Sequence, residues 1–247
     1  QTATRLRRMS AVNQALANEL KHQRDVLRRL ELQKEQLTQF LVHDLKNPVN
    51  SIQLQAQRVL RHAGADERSR DAAEKITGET RALMRMITNL LDLGKADEGL
   101  LAPARALVDL PALVASVISE LEPRAAAASV TLVTEVSAVT AELDPDLIRR
   151  VIANLVDNAI DHAPEASTVT IALEARPRSL RIRVSDRGPG VPPAKREQVF
   201  DRFTSDRTTV TNRGLGLAFC RVAVEAHGGR IWIEDAAPGA RFCIDLP

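Results

Sequence analysis

In the stretch QFLVHDLKNPVNSI, Gln39 to Ile52, an imidazole (His43), a carboxylate (Asp44), an ammonium (Lys46) and an amide (Asn47) crowd together just before Pro48. A neutral imidazole nitrogen is a competent nucleophile near neutral pH. The adjacent Asp44 can hold the proton of the other ring nitrogen and so raise the basicity of the attacking one. Asn47 lies four residues after His43, so on a helix the two share a face. Lys46 either attracts an anion such as phosphate or is a solvated charge. Pro48 removes a helix hydrogen bond and allows a bend beside the histidine. A histidine of this kind, taken alone, reads as an ordinary surface residue, so its meaning depends on the rest of the chain.

Four further stretches suit an anionic ligand. In NLVDNAIDHAP, Asn154 and Asn158 project from one helix face, and their carbonyl oxygens are hard ligands suited to a Mg²⁺ that bridges phosphates. The same pair also fits ordinary helix packing. In SDRGPGV a strand ends on Asp186, a carboxylate that can accept from an exocyclic amine such as the N6 of adenine. Gly188 and Gly190 then allow a close backbone approach, although a simple turn has the same composition. In VFDRFTS, Phe200 and Phe203 are placed to anchor a loop, leaving Arg202 to meet a phosphate. In NRGLGLAFC, Gly214 and Gly216 open a helix whose N-terminus favours an anion. Arg187 to Arg213 has little periodicity, and a loop of that length in a compact domain is usually functional, such as a lid.

The elements that must carry these residues are of two kinds. Leu6, Met9, Asn13, Leu16, Leu20, Gln23, Leu27, Leu30, Lys34, Leu37 and Leu41 alternate steps of three and four, the a/d seam expected of a dimeric coiled coil, although a single long surface helix carries a similar pattern. RHAGADERS, Arg61 to Ser69, breaks the helix. A second helix follows with Ile76, Thr80, Leu83, Ile87, Leu90 and Gly94 on one stripe. Each helix of such a hairpin leaves an apolar stripe uncovered, so two copies would cover one another as a four-helix bundle. Beyond the Gly/Pro-containing stretch Gly94 to Arg105 the period changes. Strands are predicted at Val130–Val136, Ser167–Ala175, Ser179–Asp186, Arg230–Asp235 and Ala240–Pro247. Helices are predicted at Pro111–Ala128, Asp144–His162 and Leu215–Ala226, with Asp144 as N-cap and Pro145 at the first helical position. The expected fold class is therefore α+β: a coiled coil and helical hairpin, then an α/β sandwich.

Composition narrows the function. The net charge is only +2, aromatic residues make up 2% and there is no tyrosine, which argues against nucleic acid as a partner. No apolar run is long enough to span a bilayer, and no signal-peptide pattern opens the chain. Gln1 falls inside an apparent helix, so an upstream segment is expected, and any membrane anchor would lie there. Cys220 and Cys243 sit in apolar settings without metal-ligand spacing, as in a reducing, cytoplasmic compartment. No GxxxxGK[ST] occurs, and DRGPG lacks the third glycine and following helix of a dinucleotide fingerprint.

Taken in order, FLVHDLKNPVNSI, NLVDNAIDHA, DRGPG, FDRF and GLGLAFCRVAVEAHGGRIWIE resemble the H, N, G1, F and G2 boxes of sensor histidine kinases, over roughly residues 38 to 247. The resemblance implies a coiled-coil signalling helix (1–37), a dimerisation and histidine phosphotransfer hairpin (38–97), a linker (98–108) and a catalytic ATP-binding domain of the gyrase and Hsp90 type (109–247). It makes His43 the phospho-acceptor, Asp44 its partner, and Asn47 the residue that helps position a water for dephosphorylation. The nucleotide site it implies comprises Asn154, Asn158, Asp161, His162, Asp186, Gly188, Gly190, Arg202, Phe203, Gly214, Leu215 and Gly216, with Asn158 and Asn154 toward Mg²⁺. ATP and Mg²⁺ are the expected cofactors, and a second copy and a response-regulator receiver domain the expected partners. His227 matches too, in a structural role.

Two positions depart from the family pattern: Asp161 stands where a lysine is usual, and Asn212 where a glycine is usual. Both bear on a competing reading, in which the domain holds nucleotide without transferring it and signals through its coiled coil. A carboxylate at position 161 is expected to repel ATP phosphates. Arg202, Arg207 and Arg213 are the expected source of compensating charge.

Overall fold

The computed structural model describes Lys21, Arg24 and residues 49–61, 66–177, 179–202, 215–236 and 238–247. The coiled-coil seam and the histidine stretch, including His43, Asp44, Lys46 and Asn47, lie outside the described residues, as do Phe203, Arg207, Asn212, Arg213 and Gly214. The chain divides into two compact units, Gln1–Ile87 and Thr88–Pro247. Among the described residues no helix is long and apolar enough to cross a membrane.

The first unit contains helical residues 49–61 (α1) and most of Glu67–Asp97 (α2). Asp66 starts α2 by accepting the Ser69 N–H at 2.6 Å, and this bond holds its carboxyl below the ordinary range. The predicted apolar stripe of α2 divides in two. Thr80 and Ile87 are buried, while Ile76, Leu83 and Leu90, seven residues apart, are 44%, 41% and 43% exposed. A seven-residue step drifts around a 3.6-residue helix, so one written stripe can present two edges. Ile52 and Val59 on α1 are exposed in the same way.

The second unit is an α/β sandwich. Its main sheet has the order β2-β4-β5-β7-β6, built from Thr131–Val136 (β2), Thr168–Arg176 (β4), Ser179–Ser185 (β5), Arg230–Asp235 (β6) and Ala240–Leu246 (β7). β2 runs parallel to β4 and every other pair is antiparallel. Ala106–Asp109 (β1) and Thr140–Leu143 (β3) form a separate antiparallel ribbon. The ribbon is not apparent in the sequence, because four-residue strands are too short to show alternation. It also turns the end of the expected 98–108 linker into paired backbone.

Leu110–Ala127 (α3), Pro145–His162 (α4) and Gly216–Ala226 (α5) cover one face of the sheet: α3 against β2, α4 against β4 and β5, α5 against β6. α4 starts where the sequence places it. Asp144 Oδ1 accepts from Asp146 N and Leu147 N, both at 3.0 Å, and Pro145 follows. Its apolar positions then recur every three or four residues, and Ile148, Val151, Ile152, Leu155, Val156 and Ala159 are fully buried. Each such aliphatic side chain larger than alanine contributes about 1.5–3 kcal/mol on burial. Pro164 stops the helix one turn later. With its buried face fixed, α4 has only one way to present Asn154 and Asn158.

Candidate nucleotide site

Asp186 follows directly on β5 and is 5% exposed. Its Oδ1 accepts from Gly188 N at 2.7 Å and from Ala240 N at 3.2 Å, and its own N–H donates to Ala240 O at 3.0 Å. Oδ2 makes no hydrogen bond among the described residues, so a carboxylate is locked in place with one acceptor to spare. Gly239 makes this possible. Its φ is +106°, and a side chain there would collide with the Asp186 carbonyl. Gly190, with φ +72°, closes the other side against the Gly239 carbonyl. The Pro-Gly pair between β6 and β7 was the sequence signal for this support, but a turn signal does not say what the turn will touch.

Gly188 packs against the carbonyl of His162, so the loop after β5 meets the last residue of α4. At the other end of the site Gly216 begins α5 beside Asn154, whose side-chain atoms lie 3.6–3.8 Å from where a Cβ at Gly216 would sit. Leu215 precedes α5 and provides no side-chain cap, which leaves the first-turn N–H groups to other acceptors. The amide Nδ2 of Asn154 is buried without a hydrogen-bond partner, with the Cys220 thiol as its polar neighbour. An asparagine–glycine contact at an uncapped helix N-terminus, one helix turn from a second asparagine, is chemically suited to phosphate oxygens. Among the described residues no group of three or more His, Cys, Asp or Glu could hold a metal ion. Asn158, half-buried one turn along α4 from Asn154, offers an amide oxygen, a hard donor of the kind that suits Mg²⁺.

The other expected contacts are placed differently. Asp161 is turned to α3, where Arg124 donates to both Asp157 and Asp161. A carboxylate expected to face phosphates is thus paired within the protein. Arg202 donates to both oxygens of Asp97, at 2.7 and 2.5 Å, and to Leu93 O at 3.3 Å. Asp97 and Leu93 belong to the end of α2 that is part of this unit. Around them Arg150 donates to Asp92 and Asn89, both at 2.5 Å, and lies 4.0 Å over the Phe219 ring, while Leu93 packs with Leu215 and Ala218. Neither Arg124 nor Asp97 stood out in the sequence. The paired carboxylates at 157 and 161 were the one hint that a cation must meet them.

Phe200 does anchor its loop. It is 3% exposed and packs edge-to-face on Phe242, with ring centroids 6.3 Å apart and planes at 85°. Arg221 covers its other side at 4.9 Å and donates to Glu197 at 2.8 Å.

His227 is fully buried and structural. Its Nδ1 donates to Ala223 O at 2.7 Å and its Nε2 accepts the Asp144 N–H at 3.0 Å. These two bonds fix a neutral tautomer and tie the end of α5 to the start of α4. Cys220 and Cys243 are buried thiols, each pushed up to about 12 chiefly by burial.

Known proteins match both halves of the chain. The family profile described as His Kinase A (phospho-acceptor) domain matches residues 33–99. That described as Histidine kinase-, DNA gyrase B-, and HSP90-like ATPase matches residues 143–247. The adaptive-response sensory kinase SasA of Synechococcus sp. (strain JA-3-3Ab) is 32% identical over 224 residues, 87% of this chain and 59% of that protein. The sensor-like histidine kinase SenX3 of Mycobacterium bovis (strain ATCC BAA-935 / AF2122/97) is 31% identical over 233 residues, 92% of this chain and 57% of that protein. The crystal structure of full-length ShkA in complex with AMPPNP superposes with a TM-score of 0.67 at 25% identity, over 86% of this chain and 45% of that one. The chain spans less than two thirds of the length of these relatives. Two family profiles in the expected order, relatives matched along most of the chain, and a helical region followed by an α/β sandwich lead to one assignment: the chain belongs to the sensor histidine kinases of two-component systems.

Proposed function

We propose that this chain is the kinase core of its protein: it passes the γ-phosphoryl group of ATP to His43 and from there to an aspartate on a response-regulator receiver domain. The observation that carries the reading is Asp186, held rigidly by two backbone N–H groups with Oδ2 left over. A carboxylate in that state accepts from the exocyclic amine of adenine and donates to nothing, which selects adenine over a base with a carbonyl there. Asn154, Asn158 and the start of α5 lie where a triphosphate would run. Mg²⁺ bound at Asn158 would supply charge neutralisation across the phosphates. The protein's own share of the reaction is positioning: it holds the base, orients the phosphates and excludes alternative geometries.

His43 acts as nucleophile through its neutral imidazole, with Asp44 holding the proton on the other ring nitrogen. Asn47, four residues on in sequence, serves dephosphorylation of the regulator by placing a water that attacks the phosphoaspartate and releases inorganic phosphate. The exposed edge of Ile76, Leu83 and Leu90, together with Ile52 and Val59, supports a homodimer in which two hairpins form a four-helix bundle. A chain that consumes ATP and keeps two free thiols works in the cytoplasm, whether or not an upstream segment anchors it to a membrane.

The reading is tested by incubating the chain with Mg²⁺ and either γ-labelled or α-labelled ATP, then denaturing and counting protein-bound label. Label from the γ position alone is the expected result. Nucleotide bound before denaturation, with no protein-bound label after it, would instead favour the module that holds ATP without transferring it.

A further inference from the structure

Resting on the nucleotide-site reading, we propose that Arg124 is a positioning residue for that site: from α3 it supplies the internal counter-charge that lets α4 carry Asp157 and Asp161 beside a polyphosphate. Asp157 and Asp161 are four residues apart and share one face of α4. That face adjoins the one carrying Asn154 and Asn158, since Asp157 and Asp161 each follow an asparagine by three residues. Without a partner the arrangement is unfavourable in three ways. Two like charges repel one turn apart. Asp161 sits at the C-terminal end of α4, where the helix dipole opposes a negative charge. Asp157 is only 5% exposed, and a buried carboxylate needs a paired charge.

The Arg124 guanidinium bears on all three. The two terminal nitrogens of Arg124 reach one carboxylate each, Nη1 to Asp157 and Nη2 to Asp161. Arginine's planar fork suits this bridge, whereas a lysine ammonium would meet one carboxylate well and the other poorly. The bridge has two consequences. It adds a polar clamp between α4 and α3 to the apolar packing that sets the direction of the asparagine face. It also reduces the formal charge of the cluster from −2 to −1 and draws it to the α3 side. Nucleotide affinity in this chain therefore depends on a residue of α3 that the ligand does not touch.

The test compares affinities for Mg-ATP and for adenosine, by NMR titration of the full chain at low salt, alongside thermal unfolding. Arg124→Gln is expected to weaken Mg-ATP by about three- to tenfold more than adenosine, as the loss of one compensating positive charge near the phosphates would. Adding Asp161→Asn to that variant should restore the ratio to within twofold, and Arg124→Lys should fall between. Equal weakening of both ligands, or an unchanged ratio in a folded Arg124→Gln chain, overturns the proposal. Should Arg124→Gln fail to fold, Asp161→Asn alone decides: it should tighten Mg-ATP about twofold relative to adenosine, and a weakened Mg-ATP would overturn the proposal. A wild-type chain that binds neither ligand overturns the nucleotide-site reading itself and this inference with it.

Discussion

Arg202 donates both terminal nitrogens to Asp97, so the arginine expected at the phosphates is engaged by the last turn of α2. In the proposed account it must leave Asp97 before it can meet a nucleotide. The pair is partly exposed, 38% and 50%, and pairs of that kind are worth about 0.2–1 kcal/mol. Asp97→Asn should therefore tighten Mg-ATP by about 1.4- to fivefold at low salt. The gain should shrink as salt rises and vanish when Arg202→Ala is added. Calorimetric titration of the single and double variants measures it, and an unchanged affinity in Asp97→Asn would show that the pair does not compete with nucleotide.

Asp186→Asn keeps the shape and one oxygen acceptor for Gly188 N and Ala240 N, but places an N–H₂ where Oδ2 now stands. Two donors would then face each other across the adenine amine. Such a mismatch costs about 1–3 kcal/mol, so Mg-ATP affinity should fall by about ten- to a hundredfold while the unfolding temperature changes little. A large fall in unfolding temperature with unchanged affinity would assign Asp186 a structural role instead.

His227→Phe preserves bulk and strands two buried backbone groups, Asp144 N–H and Ala223 C=O. The expected loss is about 2 kcal/mol, or roughly 4–8 °C in Tm for a unit of this size. Labelling from ATP should persist below the transition, because His227 holds the fold and is not the acceptor. Abolished labelling in a still-folded variant would contradict this.

Arg181 donates to both oxygens of Asp245 at 2.6 Å, and these bonds hold the Asp245 carboxyl below the usual range. A carboxylate depressed in the folded state contributes stability above its unfolded value and loses it as pH falls through its folded one. The urea midpoint should accordingly drop as pH is lowered below about 4, and Asp245→Asn should flatten that drop. Parallel pH profiles for the two proteins would show that other carboxylates dominate acid unfolding.

Local chemistry was legible in the sequence, and long-range pairing was not. Asp144 with Pro145 marked the start of α4, alternation marked the five long strands, and Phe200 read correctly as an anchor. Each of these signals sits within a few residues of its effect. The split stripe on α2 went unread because Ile76 and Ile87 are the same residue type, and only the drift of a seven-residue step around the helix puts them on different edges. Asp161 was read as a charge facing phosphate because its partner, Arg124, lies 37 residues upstream on another helix. The Arg202–Asp97 pair spans 105 residues, and no periodicity encodes such a contact. Gly239 belongs to the same class: its need for positive φ is local, while the carbonyl it accommodates comes from Asp186.

In the proposed reaction His43 is the first acceptor of the γ-phosphoryl group. The direct measurement is label from γ-labelled ATP on the wild-type chain and on His43→Gln, followed by exposure of the labelled protein to acid and to base. The expected result is label on the wild type that is lost in acid and survives base, as a phosphoramidate does, and none on His43→Gln. Equal label on both chains, or label that survives acid, would place the acceptor elsewhere and contradict it.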